Sequence, residues 1–209
     1  MRILILLLVF PVLAAAQESR PATCSYEVYN WNTHKKQAVN FAKVERPYSE
    51  LKPEEIDPAT GCTVCLEDQE LLKAGAIEPF YVCRKIAASV RVALEKLTAA
   101  GEPVLEVTGY RPGKTRNPTD KEGNRTGFSN HAYGAAIDIN RSANGLYDKC
   151  FKFGPGCRLV QGGPWKPGNK GALSAESRIV KAMKAAGFRW GGEIEGAQKD
   201  FMHFSFSGY

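Results

Sequence analysis

His131 and Asp138 stand seven residues apart in FSNHAYGAAIDIN (residues 128–140), and His203 lies in DFMHFSF (200–206). Two imidazoles and one carboxylate are a recurrent zinc ligand set that leaves a fourth position for water. His131, Asp138 and His203 could supply it. The plainer alternative for each histidine is a hydrogen-bonded structural residue beside a strand. The remaining histidine, His34, sits in the polar stretch NWNTHKKQ and reads as a solvated surface residue. Asp200 precedes His203 by three residues. Water activated on a metal needs a base to take its proton and pass it to a leaving amine, and Asp200 is placed for that; otherwise it forms a turn. Arg111 follows a strand-like run in TGYRP. Amide hydrolysis builds negative charge on the carbonyl oxygen, which a guanidinium fixed at the rim would stabilise; alone, an arginine before a proline is a loop residue. A serine hydrolase built on Ser129, His131 and Asp138 is disfavoured, because no G-x-S-x-G turn exists and Ser129 and His131 are only two residues apart.

The elements that must carry these residues show as changes of period. Val82, Ile86, Val90 and Leu94 recur every four residues and Leu97 continues the stripe, which predicts a helix from Pro79 to Ala100 stopped by Gly101. VLEVTGYRP (104–112) reads as a strand ending at Gly and Pro. Residues 113–127 read as a polar loop and GAAIDIN (134–140) as a second strand, followed by a Gly-rich, Cys-bounded stretch to about 171. Ser174 is the expected N-cap of a helix with Glu176 in its first turn, an apolar face of Ile179, Val180 and Met183, and a stop at Gly187. FRW and residues 200–206 read as the last strands. Helix, strand, strand, helix, strand with short connections is an α+β pattern. Residues 17 to about 67, polar and weakly periodic, read as an irregular extension stapled onto the domain. The expected divisions are 1–16, 17–78 and 79–209.

The chain has 209 residues and a net charge of +6. Arg2, the run ILILLLVFPVL and Ala14-Ala15-Ala16 read as a secretory signal peptide. The run is too short to span a bilayer, which takes about 20 apolar residues. Loss of residues 1–16 would leave 193 residues, enough for one domain with a proper core, and would remove Arg2, lowering the charge from +6 to +5. A basic exported protein, secreted or periplasmic, suits an anionic polymer such as cell wall. No dense Lys/Arg run with interleaved aromatics suggests nucleic acid. The six cysteines are 24, 62, 65, 83, 150 and 157. An even number in an exported chain points to disulfides. Cys150 and Cys157 flank FKFGPG and are expected to pair; the other four allow three connectivities. CTVC (62–65) lacks the preceding strand of a redox motif and reads as structural. Asn124-Arg-Thr and Asn140-Arg-Ser are formal glycosylation sequons, which would mean little if the source is bacterial.

SNHAYGAAID (129–138) matches the pattern SxHxxGxAxD, DFMHF (200–204) matches D/E-x-x-H, and GYR (109–111) matches a third element. Together these resemble the zinc D-Ala-D-Ala carboxypeptidase and L-alanyl-D-glutamate peptidase family, relatives of the hedgehog signalling domain and the lysostaphin-type enzymes. FRWGGE (188–193) also resembles the stretch found in peptidoglycan-cleaving members. The resemblance covers roughly residues 80–206. It implies one zinc ion held by His131, Asp138 and His203, with Asp200 as general base and then acid. Arg111 would bind substrate and stabilise the oxyanion, and Ser129 would contact substrate. Gly134 and Ala136 would let the strand pack behind the metal. The implied fold is a small antiparallel sheet with flanking helices, and the implied partner is a peptidoglycan stem peptide, with a monomer expected. Ser205 departs from the acidic residue that family members often carry two positions after the last histidine. The cysteine-bearing extension and the loop 141–172 lie outside the family core. The alternative of another class is a non-catalytic, zinc-stabilised cell-wall or protein-binding module of the same fold.

Overall fold

The computed structural model describes residues 21–209, so the signal peptide expected over 1–16 lies outside the described residues. The architecture is α+β: thirteen short strands in small sheets and two α-helices among the described residues. The helices are α1 (Arg84–Ala99) and α2 (Arg178–Ala185). The central sheet has the order β11-β13-β8-β5 and is antiparallel throughout. Its strands are β5 (Val107–Thr108), β8 (Ala136–Ile139), β11 (Arg189–Trp190) and β13 (His203–Ser205). Helix α1 buries Ile86, Ala87, Val90, Ala93, Leu94 and Leu97, the four-residue stripe visible in the sequence. Helix α2 buries Ile179, Val180 and Met183. Both join Ile137, Ile139 and Phe204 in one core, where each fully buried large aliphatic side chain contributes about 1.5–3 kcal/mol. Every residue of β8 is buried, and Asp138 is its one charged member. A carboxylate in that position is costly unless it finds partners, so the strand itself announces a site.

Several sequence expectations are corrected. The extension is ordered: β1 (Thr23–Asn32) and β2 (Gln37–Pro47) form a long antiparallel hairpin. Cys24, Tyr26 and Val28 alternate, and the first two are buried in a second core with Val64, Cys65, Phe128 and Ala132. Strand β2 is an edge with mostly exposed residues, so its apolar pattern is faint. The helix begins later than expected, because β4 (Ile77–Cys83) precedes it and pairs with β3 (Gln69–Ala74). Phe80 and Val82 are buried and Tyr81 exposed, a two-residue period that overlaps the apparent helical one. This hairpin straddles residues 78 and 79. Only β5 remains of the strand expected over 104–112, and the polar loop 113–127 contains a hairpin of β6 (Lys114–Thr119) and β7 (Arg125–Phe128). These join the extension in the sheet β2-β1-β6-β7. Helix α2 is capped by Ser177, whose hydroxyl accepts from Val180 N at 3.4 Å, and not by Ser174.

The strand expected over 200–206 is broken at Phe201–Met202. Strand β12 (Gln198–Asp200) belongs to the sheet β10-β9-β12 with β9 (Leu146–Asp148) and β10 (Arg158–Gln161), whereas β13 belongs to the central sheet. Three disulfides close the molecule: Cys24–Cys65, Cys62–Cys83 and the expected Cys150–Cys157. The two cysteines of CTVC go to different partners, as a structural role requires. No helix among the described residues is long and apolar enough to cross a membrane.

Candidate metal centre

His131 is carried by a tight 3-10 turn, Asn130–Tyr133. Ser129 caps its start, its hydroxyl accepting from Ala132 N at 3.2 Å. Gly134 ends it at φ +63°, and a Cβ there would lie 2.5 Å from Cys83 N. The Gly134 carbonyl accepts from that same nitrogen at 3.0 Å, tying the turn to β4. Ala132 packs into the second core, so the N-terminal hairpin buttresses the turn from beneath. Asp138 and His203 are direct cross-strand partners on β8 and β13, and Thr108 on β5 pairs with Asp138 from the other side.

The three side chains converge. His131 Nε2 lies 3.0 Å from Asp138 Oδ1 and 3.2 Å from His203 Nδ1, and His203 Nδ1 lies 3.1 Å from Asp138 Oδ1. His131 Nδ1 is 2.8 Å from the Gly109 carbonyl; donating its proton there turns the Nε2 lone pair inward. The group could hold a metal ion. Tetrahedral bonds of about 2.0–2.1 Å place ligand atoms about 3.3 Å apart, and the observed triangle fits that spacing. The second cluster of donors, Cys24, Cys65 and Glu67, is no rival, because its two sulfurs are bonded to each other.

Electrostatics favour the ligand forms. Burial holds the His131 imidazolium below its usual range, against the opposing pull of Asp138, so the ring is neutral at pH 7. Burial acts to raise Asp138, but His131 and His203 facing it outweigh that and hold the carboxyl well below the usual carboxylate range. Arg111 donates from its guanidinium to Asp138 Oδ2 at 3.0 Å, and its backbone N–H donates to the His131 carbonyl at 3.1 Å. It is therefore tied to both Asp138 and the His131 turn, with its side chain 36% exposed.

Asp200 is different. Its Oδ1 is sealed from solvent with no hydrogen-bond partner. Burial raises its carboxyl to about 7, with Asp138 adding to the rise and His203 and Arg111 opposing it. Gly191 makes this placement possible, since a Cβ there would lie 2.2 Å from the Asp200 carbonyl oxygen. A carboxyl near pH 7 can both take and return a proton, and a buried acceptor without a donor is a place for water or substrate.

Ser129 is 7% exposed, with its hydroxyl engaged in the cap. His34 lies apart, its ring against Gly123. Asn130 and Tyr209 escaped the sequence reading, and Ser205 entered it only as a departure from the family pattern. The buried Asn130 amide donates to Ser205 Oγ at 2.6 Å and to the Gly208 carbonyl, linking the His131 turn to the strand of His203. Ser205, where an acidic residue was the family expectation, is the acceptor in that link. Tyr209 packs its ring against His203, centroids 5.9 Å apart. Burial, with Glu193 and Asp200 facing it, raises its phenol. Neither periodicity nor spacing marks these residues; only the folded neighbourhood does.

The His131, Asp138 and His203 group, which could hold a metal ion, interacts electrostatically with the unpartnered carboxyl of Asp200. Residues 122–206 match the family model described as D-alanyl-D-alanine carboxypeptidase, and the match supports the zinc peptidase family that the motifs resemble. It covers His131, Asp138, Asp200 and His203 and leaves Arg111 and the N-terminal hairpin outside. No solved structure matches the chain.

Proposed function

We propose that this protein is a zinc peptidase that hydrolyses peptidoglycan stem peptides outside the cytoplasm, as a D-Ala-D-Ala carboxypeptidase or an L-Ala-D-Glu endopeptidase, on a hedgehog-like fold. The observation that carries the reading is the triangle of His131 Nε2, Asp138 Oδ1 and His203 Nδ1 beside the orphaned carboxyl of Asp200. His131, Asp138 and His203 would hold the ion. When bound, it would polarise the scissile carbonyl and lower the pKa of water. Asp200 accepts the proton of the attacking water and delivers it to the leaving amine. Arg111 holds Asp138 in its ligand orientation through one guanidinium nitrogen and offers its exposed edge to the substrate carbonyl. The Gly109 carbonyl keeps the His131 tautomer. Three disulfides support an extracellular or periplasmic location.

The test is mass spectrometry of purified tetra- and pentapeptide muropeptides after incubation with the zinc-loaded protein, with and without a chelator. Chelator-sensitive release of terminal D-Ala identifies the carboxypeptidase, and cleavage between L-Ala and D-Glu the endopeptidase. Intact muropeptides alongside a folded, one-zinc protein would overturn the enzyme reading in favour of the binding module.

A further inference from the structure

A groove of about 450 Å³ has Trp190, Ile194 and Tyr209 in its apolar lining and Lys184, Arg189, Glu193 and Glu195 in its charged lining. The mechanism above uses none of these side chains. Tyr209 joins the groove to the centre, with its ring tilted 56° against His203 and its phenol facing Asp200 and Glu193. Its placement is built. Ser207 N donates to Ser205 Oγ at 3.2 Å, Asn130 holds both that hydroxyl and the Gly208 carbonyl, and Asn130 is the residue before His131. Gly208 turns the chain at φ +84°, a left-handed conformation that favours glycine. The groove's first cation, Lys184, is neutralised by Glu193 at 2.8 Å. Arg189 and Glu195 remain as charged lining, and of the apolar lining residues Tyr209 stands against His203.

From this we infer that Tyr209 is a specificity-determining residue, its ring forming the wall against which the side chain of the substrate residue next to the scissile bond packs. The inference rests on the peptidase reading and adds a subsite to it. The ring, rather than the hydroxyl, makes the wall. Tyr209 is 41% exposed, so its truncation costs the fold little.

The experiment compares wild type, Tyr209→Phe and Tyr209→Ala in the full chain. KM and kcat are measured on the muropeptide the wild type cleaves. Calorimetric affinity of that peptide is measured for the metal-free proteins, which do not turn over, and zinc affinity by chelator competition. The expected result is a KM rise of about tenfold for Tyr209→Ala with kcat little changed. A matching loss of peptide affinity in the metal-free protein, unchanged zinc affinity and near-wild-type behaviour of Tyr209→Phe complete it. An unchanged KM and peptide affinity in Tyr209→Ala overturns the subsite while leaving the peptidase intact. Zinc affinity falling in step with activity overturns it too, in favour of a support for His203. A wild type that neither binds nor cleaves muropeptides removes the peptidase reading and the subsite with it.

Discussion

Asp138 divides its carboxylate between two duties: Oδ1 faces the two histidines, and Oδ2 accepts from the Arg111 guanidinium at 3.0 Å. The side chain is 2% exposed, so its charge stands only because both oxygens are engaged. Arg111→Ala should therefore weaken zinc binding about 10–100-fold, the scale for losing a partner that orients a ligand. Arg111→Lys should recover part of it, keeping the charge and losing the fork. Chelator competition reads this directly. Unchanged zinc affinity in both variants would confine Arg111 to the substrate.

Asp200→Asn should abolish turnover by about 10²–10⁴-fold while the protein still takes up one zinc ion, measured by metal analysis beside the muropeptide assay. Loss of zinc in this variant would make Asp200 part of the metal set and not the base.

The same residue gives the metal-free protein a pH signature. The folded Asp200 carboxyl stands at about 7, above its ordinary value of 3.8. The folded state therefore holds the proton more tightly, and this contribution to stability is present at low pH and lost as pH rises toward 7. One proton sets a slope of at most about 1.4 kcal/mol per pH unit. Asp138 acts oppositely: its carboxyl is held low, so its contribution is lost as pH falls through the acid range. His131, held below its usual value by burial, contributes the opposite slope up to about pH 6.5, so the signature is a difference: from pH 5 to pH 7.5 the stability of metal-free wild type should fall relative to that of Asp200→Asn in denaturant unfolding. Parallel pH profiles for the two proteins would show that Asp200 does not hold its proton in the folded state.

Gly134→Ala should cost more than about 3 kcal/mol. The new methyl would meet Cys83 N at 2.5 Å and Gln69 Oε1 at 2.0 Å, at φ +63°. A fall in the thermal midpoint together with weaker zinc binding is expected, because the same glycine closes the turn that carries His131. Wild-type stability would mean the turn and β4 can separate without loss.

Removing the Cys24–Cys65 bridge with a double serine substitution should cost about 4 kcal/mol on loop entropy alone, for cysteines 41 residues apart. Since Ala132 shares the second core with these residues, zinc affinity should fall as well. A destabilised protein with unchanged zinc affinity would show that the hairpin and the centre are energetically separate.

The sequence by itself determined the donor types, the stripe of α1, the short apolar segments around Asp138 and His203, and the local pairing of Cys150 with Cys157. These are short-range matters: a period of 3.6 or 2, a seven-residue separation, a motif read within ten residues. The tertiary structure decided the rest. Asp200 and His203, three residues apart, belong to different sheets because the chain breaks at Phe201–Met202, and that break is held by Phe201 N on the Gly145 carbonyl and Ile139 N on the Met202 carbonyl. The extension folds as a hairpin because its buried face finds Phe128 and Ala132, about a hundred residues away, while β2 is an edge strand of mostly exposed residues whose pattern is faint. Arg111 on Asp138 and Asn130 on Ser205 are contacts between distant segments. Their energies come from burial and pairing that exist only after the strands have met, so no local spacing could display them.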